Sequence, residues 1–67
     1  MNTAYFDVSG LNNAQMKTSL KNALDKLEGV QSVDIDKTLG AVEVEFNEPA
    51  DPNGIRACIE KQGFGIL

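Results

Sequence analysis

Apolar residues in this chain fall into two kinds of rhythm. Ala4, Phe6 and Val8 alternate with Tyr5, Asp7 and Ser9, the period of a strand with one buried face. Gly10 closes that run. From Met16 the spacing changes: Met16, Leu20, Ala23, Leu24 and Leu27 form one stripe at helical intervals. Either Asn12 or Asn13 is placed to cap the helix, with Gln15 three residues after Asn12 as a weak capping box, and Gly29 supplies its C-terminal stop. Val33 and Ile35 predict a short second strand, Asp36 to Gly40 a hairpin loop, and Ala41 to Phe46 a third strand with Val42, Val44 and Phe46 inward. Pro49 opposes further extension. Asp51 followed by Pro52 reads as a cap and first-turn proline for a second helix carrying Ile55, Cys58, Ile59 and Gln62 on one side. Gly63 ends it, and Phe64 to Leu67 is long enough for an edge strand.

The order βαββαβ, with both helices on one face of a four-stranded antiparallel sheet, predicts an α+β ferredoxin-like sandwich. At 67 residues the chain makes one domain, 1–67, and a domain of that size buries only about 60% of its unfolded surface. Most apolar positions are therefore structural, with no core to spare for a large pocket.

Charge narrows the functions. Ten acidic against six basic residues give a net charge of −4, which repels a phosphate backbone and leaves no basic stripe for nucleic acid. No apolar run approaches the roughly 18 residues of a membrane span, so membrane insertion is not expected. A lone cysteine, Cys58, allows no intramolecular disulfide and fits a reducing compartment, so the expected location is cytoplasmic. With no histidine, no phosphate loop and no nucleophile–base spacing, the chain does not read as an enzyme.

The segment Gly10-Leu11-Asn12-Asn13-Ala14-Gln15-Met16 carries the most information, together with Leu20, Ala23-Leu24, Leu27, Gly29-Val30, Val33, Ile35-Asp36, Val42, Val44, Phe46, Ile55, Ile59-Glu60 and Gly63-Phe64. This spacing resembles the heavy-metal-associated domain family, which includes small copper chaperones and the metal-binding domains of P-type metal ATPases. The resemblance covers nearly the whole chain. The usual loop of that family reads Gly-Met-Thr-Cys-x-x-Cys, and the two cysteine positions fall here on Asn13 and Met16. The resemblance also implies that Leu11, in place of the usual methionine, is an apolar anchor beneath the loop. It puts Phe64 near the loop, either packed over it or in the ordinary core.

Copper(I) selects thiolates, and neither replacement is one. Asn13 offers a neutral amide, most simply a helix cap, and Met16 an uncharged thioether that opens the core stripe. Cys58, about five residues and roughly 7 Å down the second helix, reads as a buried, small apolar residue. Thiolate copper binding at the loop is therefore not expected, and no cofactor is assigned. Two readings follow from the resemblance. In the first, the domain has lost its metal site and serves as an interaction or regulatory module, its partner a P-type ATPase metal-binding domain or a related chaperone, met through Leu11, Asn12, Asn13, Met16, Lys17, Lys21 and Phe64. In the second, it carries a soft ion through Met16 with a ligand donated by a partner.

Strand parity puts Asp7, Asp34, Asp36, Glu43 and Glu45 on the uncovered sheet face, and Lys17, Lys21, Lys26, Arg56 and Lys61 on the helical side. The expected molecule is bipolar.

Overall fold

A computed structural model describes residues 1–67. The elements are β1 (Asn2–Ser9), α1 (Ala14–Asp25), β2 (Val30–Asp36), β3 (Ala41–Phe46), α2 (Pro52–Lys61) and β4 (Gly65–Ile66). Their strands form one antiparallel sheet in the order β2-β3-β1-β4, the ferredoxin-like arrangement expected from the pattern. The register pairs Ala4 with Val44 and Phe6 with Val42, and β2 adds Val33 opposite Val44 and Ile35 opposite Val42. One face of the sheet thus presents a continuous apolar layer. Leu20 and Leu24 of α1 and Ile55 and Ile59 of α2 close over it, all four fully buried. Each completely buried aliphatic side chain contributes about 1.5–3 kcal/mol relative to exposure, so these helix residues hold the two layers together.

Local sequence explains both helix starts. Asn13 and Asp51 have extended backbones, and each turns its side-chain oxygen back onto the amide three residues on, Met16 at 2.9 Å and Gly54 at 2.6 Å. Pro52 occupies the first turn of α2, where no intrahelical N–H is needed. Because the cap of α1 is Asn13, the alternative box between Asn12 and Gln15 does not form.

Four further details depart from the sequence reading. β1 and β2 begin earlier than their apolar cores, at Asn2 and Val30, because ladder partners on β3 extend the pairing past the last buried side chain. The first helix ends at Asp25, four residues short of Gly29. There Leu27 donates to the Leu24 carbonyl and Val30 to that of Leu27, so tight turns replace the helix and drop the chain into β2. Gln62 is exposed and terminates α2 instead of sharing its apolar side. Cys58 is half-buried at the groove between the helices, beside Ala23, Lys26 and Lys61, and not sealed in the core. Burial still pushes its thiol above the usual value, an effect that nearby Lys61 opposes.

Candidate functional site

Three segments converge at one end of the sandwich. The loop Gly10–Asn13 leaves the C-terminal end of β1. The β2–β3 hairpin reaches the same end, since Asp7 faces Ala41 and the Val8 amide donates to the Gly40 carbonyl at 2.7 Å. Gly63 and Phe64 arrive with β4, whose Gly65 is paired to Ser9.

Gly10 turns the chain out of the sheet at φ 99°, a conformation that favours glycine. A Cβ at this position would stand 3.4 Å from Phe64 Cδ1, so the Phe64 ring lies directly against the start of the loop. Phe64 and Leu11 are both buried in the core cluster. The two expected roles of Phe64 are therefore one: it packs into the core and supports the loop from beneath. Leu11 does the same, so neither side chain belongs to the outer surface on which the sequence grouped them with the polar loop residues.

The exposed part is made by Asn12, Asn13 and the first turn of α1. Asn13 Oδ1 is engaged by the Met16 amide, and Met16 is half-buried with its side chain packed against the core cluster. A soft ion would find here one capped amide and one neutral thioether, a donor set that does not fit copper(I). No three His, Cys, Asp or Glu side chains come together anywhere in the molecule, and the carboxylates around Asp7 and Glu43 form no such cluster. Replacing Asn13 with alanine is expected to cost about 1 kcal/mol through loss of the cap, with aspartate restoring it. Chemical denaturation of the two variants checks this.

Electrostatics around the loop differ from the simple two-sided picture. Lys21 pairs with Asp25 at 3.0 Å and Arg56 with Glu60 at 3.9 Å, each along its own helix and well exposed. Such pairs contribute little stability, yet they neutralise two of the five helical cations. Lys17, in the first turn of α1, has no ion pair and is the free positive charge nearest the loop. It borders a shallow surface that also includes Lys37 and Leu39 of the hairpin. Leu39 is 75% exposed and was not singled out from sequence. Its signal was an apolar side chain at a hairpin tip, outside the strand alternation. On the open sheet face Glu43, directly across from Tyr5, raises the phenol above its ordinary value.

No protein-family model matches the chain, and no curated protein matches it. Solved structures do. The CopZ metallochaperone superposes with a TM-score of 0.94 at 24% identity, over 98% of this chain and 100% of the other. A copper-binding domain from HMA7, a P-type ATPase, gives 0.92 at 26% identity over 100% and 95%. The N-terminal domain of a potential copper-translocating P-type ATPase from Bacillus subtilis, solved in its Cu(I)-loaded state, gives 0.88 at 28% identity over 96% and 81%. The chain has the fold of the heavy-metal-associated domains. No helix is long and apolar enough to cross a membrane.

Proposed function

We propose that this chain is a non-catalytic interaction or regulatory module of copper transport, its own thiolate site replaced by a helix cap and a core thioether. The observation that carries this reading is the bond from the Met16 amide to Asn13 Oδ1. It turns the first cysteine position into part of the α1 cap, while Met16 at the second packs inward. The end surface formed by Asn12, Asn13, Met16 and the free Lys17 is retained above the buried supports Leu11 and Phe64. Its partner is a domain of the same fold that has kept its cysteines, either the metal-binding domain of a P-type ATPase or a chaperone. Lys17 suits an acidic patch on that partner, since complementary charge speeds encounter and selects orientation. The free, half-buried thiol of Cys58 suits a reducing cytoplasm.

A second reading, a soft-metal carrier using Met16 and a partner's ligand, draws on one observation: Met16, beside the loop, is half-buried and not sealed in the core.

One pair of experiments separates them. The reduced protein is titrated with copper(I) against a chelator, then with a cysteine-bearing heavy-metal-associated domain in apo and copper-loaded forms. The interaction module takes no copper from the chelator, binds the partner in both forms, and loses affinity severalfold in Lys17→Glu. Binding only to the loaded partner, abolished in Met16→Leu, supports the carrier. No binding to either form overturns both.

A further inference from the structure

The second helix opens with the only asparagine–glycine pair in the chain, Asn53-Gly54. Such a pair carries its own reaction. The backbone nitrogen of the following residue, once it has given up its proton to solvent base, can attack the asparagine Cγ, closing a five-membered succinimide and expelling ammonia. Water then opens the ring to aspartate or isoaspartate. Glycine is the neighbour that permits this best, because it has no side chain to shield its nitrogen and no Cβ to restrict the backbone.

The fold keeps the reacting atoms apart. Asn53 is the second residue of α2 and Gly54 the third. Helical Cα–Cβ bonds tilt toward the N-terminus, which carries the Asn53 carboxamide away from the nitrogen that follows it. That nitrogen is also engaged: its N–H donates to Asp51 Oδ1 at 2.6 Å. A carboxylate beside it opposes loss of the proton, since two negative charges would then adjoin. Yet the protection is local. Asp51, Pro52, Asn53 and Gly54 are all exposed, and Ile55 is the first residue of the helix that is buried. The amides of Gly54 and Ile55 both bind Asp51, the first through its side chain and the second through its carbonyl at 3.0 Å. Proline at 52 brings no N–H, and glycine at 54 lowers the helix propensity of the turn. Opening as far as Gly54 uncovers no buried side chain, so it belongs to the least costly local unfolding.

We infer that Asn53 is a self-modification site of this domain and that the Asp51 cap is the guard that sets its rate. When the first turn of α2 opens, Asp51 releases the Gly54 nitrogen, which attacks Asn53 Cγ as ammonia leaves, and water completes the conversion to aspartate or isoaspartate. Either product adds one negative charge. The aspartate branch suits the helix, because a carboxylate in the first turn favours the positive end of the dipole and α2 has no acidic residue there. The isoaspartate branch does not. Its backbone runs through the former side chain, inserting one carbon before Gly54 and displacing that amide from its acceptor, so α2 starts without its cap. The site follows the exit of β3, where Phe46 faces Asn2 at the start of β1. That is the end of the sandwich remote from the loop, and the reaction is independent of the function proposed for the loop.

The chain and its Asp51→Ala, Asp51→Asn and Gly54→Ala variants are aged at neutral pH, both folded and in concentrated urea. Fragmentation mass spectrometry locates the conversion, isoaspartyl methyltransferase counts the isoaspartate, and circular dichroism checks that each variant is folded. In urea, Asn53 should convert well ahead of every other asparagine, and Gly54→Ala should slow it. The folded chain should convert more slowly than the chain in urea. Asp51→Ala, which loses the cap, should convert about fivefold faster than the folded parent, with Asp51→Asn, a neutral cap, in between. Should Asp51→Ala fail to fold, Asp51→Thr, a weaker cap, takes its place with a smaller rise. A folded rate equal to that in urea overturns the guard. So does an Asp51→Ala rate at or below the parent's, which would make Asp51 a base that assists the attack. Conversion in urea no faster at Asn53 than at the other asparagines overturns the site itself.

Discussion

Asn13→Cys combined with Met16→Cys is expected to create a copper(I) site on this scaffold while leaving its fold unchanged. The side chain of residue 13 already points into the first turn of α1, reaching the residue 16 amide at 2.9 Å, so thiolates at these positions face one small volume. Unpaired amides and the positive end of the helix dipole lower the pKa of thiols placed there, favouring the thiolates that bind the ion. Exchanging a capped amide and a neutral thioether for this pair should raise copper(I) affinity by about a thousandfold or more. The apo variant should also be less stable, by about 1 kcal/mol for the lost cap and a similar amount for the shortened side chain at 16. In a domain of this size that corresponds to a melting temperature roughly 10 °C lower. Copper(I) should restore it, because a ligand that binds only the folded state stabilises it. Chelator competition and thermal melts with and without copper(I) check both halves. A folded double variant that takes up no copper would mean that the loop is not where the sequence resemblance puts it.

Gly29→Ala should be the most damaging small substitution in the chain. Gly29 sits at φ 97°, and its carbonyl accepts the Asn47 amide at 2.7 Å, tying the entry of β2 to the exit of β3. A Cβ there would collide with the Asn47 carbonyl oxygen and stand 2.8 Å from the Ala50 nitrogen. Both obstacles are backbone, so no side-chain rotation relieves them. The conformational penalty and the broken tie together should cost on the order of 3 kcal/mol. A chain of this length has a total stability of roughly 3–10 kcal/mol, so the variant should be largely unfolded or melt far lower, as circular dichroism would show. Gly63→Ala offers a comparison, since it shares the positive φ but a Cβ there meets nothing. It should lose markedly less.

The contrast between these glycines shows where local sequence stops being informative. Both were legible as helix stops, and Gly63 is one. Gly29 lies four residues past the end of α1 and is required by Asn47 and Ala50, residues distant in sequence. The caps behaved differently. Asn13 and Asp51 act on amides three residues away, so their roles could be read from neighbouring letters. At the loop, the absence of two cysteines was plain in the sequence. That Asn13 Oδ1 is held by the Met16 amide, and that Phe64 lies against Gly10, required the fold.

By itself, the sequence determined the alternation that makes β1 and β3 single-faced, the two helical stripes, the caps, and therefore the βαββαβ layout. These rest on interactions between residues a few positions apart, which periodicity records. Only the tertiary structure decided that Cys58 sits half-buried in the groove between the helices beside Lys61, that Lys21 and Arg56 are neutralised while Lys17 is free, that Leu39 lines a shallow surface with Lys17, and that β4 pairs with only Val8 and Ser9 of β1. Each of these depends on which surfaces meet across the sheet or between the helices, and on side-chain placement that sequence spacing leaves undetermined.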